Sequence, residues 1–138
     1  MKVVLDTNIL VSALIKAGKP RDLFNRLVKD KQIVLSRAIL EEFLDVIEDP
    51  KIAKYTSEKD VTVFLNTLKN SARIVQVKSK FKAVMDDPDD DAIVRAAYDS
   101  KANYIISGDR HLLALKHFKG IRIRTVDEML NILNNYPF

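Results

Sequence analysis

The chain has 138 residues, 47% hydrophobic and 30% charged, with 23 Lys+Arg against 19 Asp+Glu, a formal charge of +4, and no Cys. That length predicts a single domain over 1–138 with enough chain to bury a core, and the composition excludes collagen-like and disordered classes. Without Cys there is no disulfide, thiol nucleophile or thiolate metal site. No apolar run approaches the roughly 20 residues that span a membrane, so a cytoplasmic protein without membrane association is expected.

Lys2-Val3-Val4-Leu5 predicts a buried strand, ended by polar Asp6-Thr7-Asn8 before an apolar helical start. Asp6 and Asn8 interrupt what would otherwise resemble a signal peptide, and no small-residue cleavage site follows. Gly18-Lys19-Pro20 breaks the chain, after which Leu23, Phe24, Leu27 and Val28 recur on one helical face. Lys16, Lys19, Arg21 and Arg26 in this region read equally as a track for an RNA backbone or as a solvated basic face. Gln32 to Leu35 predicts a second strand, and Ser36 is suited to cap the helix of Ile39, Leu40, Phe43, Leu44 and Ile47, which stops at Asp49-Pro50.

Ser57 to Asp60 resembles a capping box and opens a helix with Val61, Phe64, Leu65 and Leu68 inward. Arg73 to Val77 predicts a third strand. Met85-Asp86-Asp87-Pro88-Asp89-Asp90-Asp91 then packs five Asp into seven positions of an otherwise basic chain. Pro88 bars a regular helix upstream, so Asp89 or Asp90 is expected to cap the helix of Ile93, Val94, Ala96 and Ala97. Tyr104 to Ser107 predicts a fourth strand, with Tyr104 read as core, turned at Gly108 into a short helix carrying Leu112, Leu113 and Leu115. Ile121 to Ile123 predicts a fifth strand, and Thr125 to Glu128 caps the last helix. His111 and His117 are placed on different faces of one surface helix, which argues against a zinc pair. The closing Tyr136-Pro137-Phe138 is apolar and is expected to pack on the domain or on a partner chain.

Strands alternate with helices, and the strands are continuous apolar runs. Together these predict an α/β fold, a three-layer α/β/α sandwich with a mainly parallel sheet of about five strands. Ligands of such sheets sit at the carboxyl ends of the strands, and there the chain is acidic. Asp6 follows the first strand and Asp109 the fourth; Glu42 lies early in the helix after the second strand, and the Asp cluster opens the helix before the fourth. Unit charges about 4 Å apart repel by about 1 kcal/mol in water and by several in a partly buried site. Protonation, cationic side chains or a metal must therefore offset them. An all-oxygen donor set selects Mg²⁺ or Mn²⁺ over zinc, ions suited to phosphodiester hydrolysis. Taken singly, each acid also has a bland reading as a helix cap, a dipole partner or part of a solvated face.

Val3 through Leu10, Ser36 through Phe43, Asp87 through Asp91 and Ile105 through Asp109, in that order, resemble the motifs of the PIN domain, the metal-dependent ribonuclease fold of VapC-type toxins and RNA-processing nucleases. The likeness implies an acidic quartet of Asp6, Glu42, Asp90 and Asp109 that holds one or two Mg²⁺ or Mn²⁺ ions. Asp90 matches the family's acid-to-alanine spacing through Ala97, with Asp91 as the alternative ligand, and Asn8 and Ser107 match polar positions lining the site. The implied function is a metal-dependent endoribonuclease, the toxin of a type II toxin–antitoxin pair. Its implied partners are RNA, a small antitoxin protein and a second copy in a homodimer, with Phe24 and Phe64 as candidate contacts.

A haloacid-dehalogenase-like phosphohydrolase would need an acid at position 8, where Asn8 stands, and one near Leu113. A receiver-like domain would need a phosphoacceptor Asp after the middle strand, where Val75-Gln76-Val77-Lys78 has none. These mismatches count against both; the alternatives to a nuclease are the haloacid-dehalogenase-like phosphohydrolase and a non-catalytic binding protein of the PIN fold.

Overall fold

Three consecutive aliphatic residues, Val3–Leu5, form β1 at the centre of the sheet, all three completely buried. The computed structural model describes residues 1–83 and 87–135. On one side β1 pairs in parallel with β2 (Ile33–Ser36), which pairs with β3 (Arg73–Val75). On the other it pairs in parallel with β4 (Tyr104–Ile106), and β4 with β6 (Ile121–Arg124). The two-residue β5 (His117–Phe118) closes that edge antiparallel to β6, giving the order β3-β2-β1-β4-β6-β5. The sheet thus has six strands where about five were expected. The additional one is too short to show a pattern in sequence, and it puts His117 on a strand rather than on the helix of His111.

Helices flank this sheet: α1 (Thr7–Ile15), α2 (Lys19–Lys29), α3 (Arg37–Glu48), α4 (Pro50–Ala53), α5 (Glu58–Ser71), α6 (Pro88–Ser100), α7 (Arg110–Leu115) and α8 (Val126–Asn135). Their starts are chemically specified. Ser36 Oγ accepts from Ile39 N at 3.2 Å, and Ser57 Oγ from Asp60 N at 3.1 Å. Thr125 and Glu128 form a reciprocal capping box at 3.1 and 3.0 Å. At α6 the cap is Asp87 rather than Asp89 or Asp90: its Oδ1 accepts from both of their amides, at 3.0 and 3.2 Å. Pro88 then takes the first helical position, where a missing N–H costs nothing. Releasing Asp90 from capping leaves its carboxyl available elsewhere.

Phe24 and Phe64 are core residues, 4% and 8% exposed, stacked with ring centroids 4.5 Å apart, and Phe43 stacks on Phe64 at 5.4 Å. Packing α2 and α5 together buries both rings, so neither serves as a surface contact. Part of the basic set around α2 has an internal role as well. Arg21 donates to the carbonyls of Ala13 and Leu14 at 2.8 and 2.9 Å, satisfying the end of α1. Lys19 pairs with Asp127 at 3.0 Å, and Arg26 donates to Asn134, tying α2 to α8. Tyr104 is half-buried and packs against the core, as expected. Among the described residues no helix is long and apolar enough to cross a membrane. Met85, Asp86 and the closing Tyr136-Pro137-Phe138 lie outside the described residues.

Candidate active site

The chain winds outward from β1 to β2 and β3, then returns through α6 to β4 on the other side of β1. In such sheets ligands bind at the carboxyl ends of the strands where the winding reverses, and here that point lies between β1 and β4. Leu5 and Ile106 are register partners, so Asp6 and Ser107 leave the sheet side by side. The Ser107 hydroxyl, fully buried, donates to Asp6 Oδ2 at 2.7 Å and accepts from the Asp109 amide at 2.9 Å. One side chain thereby links two of the acids. Asp109 Oδ1 also caps α7, accepting from His111 N at 2.7 Å and Leu112 N at 3.3 Å.

Asp6 is 7% exposed and precedes α1, but its carboxylate makes no capping hydrogen bond. Burial drives its pKa above the ordinary carboxylate value, and the charge of Asp109 adds to that. The Ser107 hydrogen bond and the nearby amides of Asn8 and Thr7 oppose it. Asn8 itself stands exposed on the first turn of α1. Glu42 projects from α3 as a partly buried carboxyl, its pKa raised first by burial and then by the charges of Asp89, Asp6 and Asp87. Completely buried Thr7 donates to Glu42 Oε2 at 3.0 Å. Sequence reading missed this residue. It stands directly after a candidate acid, but only the fold shows that α1 faces α3.

Asp90 is the most perturbed acid. Its pKa is pushed up to about 7, by burial first and then by the charges of Asp109, Asp87 and Asp6. It is 6% exposed, and its Oδ2 is buried with no hydrogen-bond partner among the described residues. A buried carboxylate oxygen without a donor costs several kcal/mol when ionised. Its neighbour Asp91 points to different work, with Oδ1 accepting from the Ala83 amide at 2.7 Å. The two ion pairs formed among the described residues, Lys19–Asp127 and Arg37–Glu41, involve none of these acids.

The charges of Asp6, Glu42, Asp90 and Asp109 therefore act on one another at a single edge of the sheet. Among the described residues, no three acids already stand close enough to grip one ion. Ligation requires side chains to turn toward a shared point. The donor set nevertheless fits a hard divalent cation: every donor is a carboxylate oxygen, Asp90 Oδ2 is buried without a partner among the described residues, and burial and repulsion disfavour ionisation of Asp6, Glu42 and Asp90.

An uncharacterized protein of Methanocaldococcus jannaschii is 33% identical over 119 residues, covering 84% of this chain and 76% of that protein. The fold is similar to that of a chain of VapBC2 from Rickettsia felis, solved bound to a DNA fragment from the promoter. The TM-score is 0.61 at 15% identity, over 91% of this chain and 98% of that one. Residues 2–111, a span reaching from before Asp6 to beyond Asp109, match the PIN domain, and the chain belongs to the PIN domain family.

Proposed function

We propose that the protein is a Mg²⁺- or Mn²⁺-dependent endoribonuclease, with Asp6, Glu42, Asp90 and Asp109 as the acids that hold the metal. The observation that carries this reading is the buried Asp90 Oδ2, without a hydrogen-bond partner among the described residues, amid the charges of Asp109, Asp87 and Asp6. When bound, a hard divalent cation activates water and neutralises charge on a reacting phosphodiester. The chain's own residues prepare the place. Ser107 fixes the orientation of Asp6 through its 2.7 Å hydrogen bond, and Thr7 fixes Glu42. Asp87 fixes the start of α6, and with it Asp90, by accepting from the amides of Asp89 and Asp90, and Asn8, exposed on the first turn of α1, offers substrate a neutral polar contact. Asp91, the alternative ligand, is committed to the Ala83 amide, which favours Asp90.

We assign the protein further to the toxin half of a toxin–antitoxin pair, acting in the cytoplasm as a homodimer held in check by a small antitoxin. Family membership and the fold likeness to VapBC2 support this. Cleavage of RNA by the purified chain with added Mn²⁺, its loss in Asp90→Asn and weaker Mn²⁺ binding by calorimetry in the same variant test the nuclease reading. RNA left intact at every metal concentration would support a non-catalytic PIN-fold binding protein instead. Growth arrest on expression, relieved by the product of an adjacent gene, tests the toxin reading.

A further inference from the structure

Between β3 and α6 the chain from Gln76 to Ala83 is neither helix nor strand, yet its burial alternates strictly. Val75, Val77, Ser79, Phe81 and Ala83 are half-buried, while Gln76, Lys78, Lys80 and Lys82 are exposed. Period two is the signature of an extended chain, in which alternate residues lie about 6.6 Å apart.

Side chains of α6, spaced one helical turn apart, clamp the inner side. Asp99 Oδ2 accepts from the amides of Lys78 and Ser79 and from the Ser79 hydroxyl, at 2.6, 3.0 and 3.1 Å. Arg95 Nε donates to the Phe81 carbonyl at 2.7 Å, and Asp91 accepts from Ala83 N at 2.7 Å. Phe81 also packs edge-on to Tyr98 at 5.3 Å and stacks on Phe118 of β5 at 5.2 Å. The ribbon leaves one edge of the sheet and is anchored at the other. It runs antiparallel to α6, from Asp99 at the helix's far end to Asp91 beside Asp90, a helical distance of about 12 Å.

Three lysines are thus held in a row on a pinned backbone, with Lys82 nearest the acids. Lys78 also feels the charge of Asp99, whereas Lys80 and Lys82 make no ion pair among the described residues. A fourth ammonium, Lys119 Nζ, sits 5.4 Å from the Tyr98 ring centroid and 5.9 Å from that of Phe118, the rings that hold Phe81. A site built of carboxylates repels a polyanion, so holding one there requires cations beside it.

We infer that the 76–82 ribbon is a docking track for the phosphate backbone of single-stranded RNA, leading the strand along α6 into the acidic crevice. The lysine spacing is close to that of successive phosphates in an extended polynucleotide. An ammonium on a flexible stem neutralises phosphate without reading bases, so the track is indifferent to sequence. The inference rests on RNA being the substrate but not on cleavage.

Binding of a short mixed-sequence single-stranded RNA, read by fluorescence anisotropy in EDTA across a salt series, tests it without turnover. Lys80→Ala/Lys82→Ala is expected to weaken binding about tenfold or more at low salt and to reduce the slope of log K against log salt by about 1.4. The Lys59→Ala/Lys69→Ala pair on α5 should bind as wild type does. Unchanged affinity and slope in the ribbon variant, with RNA still cleaved when Mn²⁺ is restored, overturn the track and leave the nuclease reading intact. Wild-type protein that ignores RNA but binds a Glu-rich peptide through these lysines overturns it in favour of a protein partner.

Discussion

The Thr7 hydroxyl donates to Glu42 Oε2 at 3.0 Å, joining residues 35 positions apart at the junction of α1 and α3. Glu42 is the only glutamate of the quartet, with one more rotatable bond than the three Asp, so it has the most rotamer freedom to lose. Thr7→Val keeps the shape and removes the donor. RNA cleavage and Mn²⁺ affinity should fall about 10-fold or more, KM for RNA should hold, and Thr7→Ser should restore most of both. A change in KM alone would show that Thr7 does not act through Glu42.

Asp6→Asn removes one of the interacting negative charges while keeping an oxygen for Ser107 to donate to. Metal-dependent cleavage should be abolished, with a melting temperature unchanged or higher because repulsion is relieved. Undiminished cleavage would remove Asp6 from the site.

The pH dependence of the metal-free protein follows from Asp90. Its folded-state pKa is pushed up to about 7 from an ordinary 3.8. The folded chain therefore keeps a proton that the unfolded chain releases. Stability from this group is complete below about pH 4 and lost as pH rises through about 7. Asp6 and Glu42, also raised, contribute in the same direction. Thermal melts in EDTA should show stability declining across that window and a flatter profile for Asp90→Asn. Added Mn²⁺ should raise the melting temperature more at the alkaline end.

Asp91 and Asp90 are adjacent but should fail differently. Asp91→Ala leaves the Ala83 amide without its acceptor and loosens the ribbon from α6, at a cost of about 1–3 kcal/mol. Mn²⁺ affinity, measured by calorimetry below the melting temperature, should stay near wild type. Asp90→Ala should do the reverse, lowering Mn²⁺ affinity without loss of stability.

Phe64 joins Phe24 and Phe43 in one stack, so Phe64→Ala opens a cavity rather than disturbing a surface. Chemical denaturation should show a loss of about 3–5 kcal/mol, read at constant protein concentration to separate it from any change in association.

Short-range physics was legible in the sequence. Continuous aliphatic runs such as Val3–Leu5 have few alternatives to a doubly covered strand, and Ser36, Ser57 and Thr125 cap helices using atoms within three residues of themselves. Asp6 and Asp109 after strands, Asp90 opening a helix and Glu42 early in the helix after β2 could be noticed because such positions are fixed by the order of elements. Closure was not legible. That Phe24 and Phe64 meet each other, that Thr7 reaches Glu42 and that Ser107 bridges Asp6 to Asp109 depend on which helix crosses which strand. Even within the Asp run the division of labour came from geometry. Asp87 caps α6, Asp91 holds Ala83 and Asp90 Oδ2 is left without a partner among the described residues, because successive helical residues point about 100° apart. Composition and local pattern determined the layers and the acidic edge. Only folding in three dimensions decided which carboxyl faces which, because hydrogen bonding and desolvation act over a few ångströms and take no account of distance along the chain.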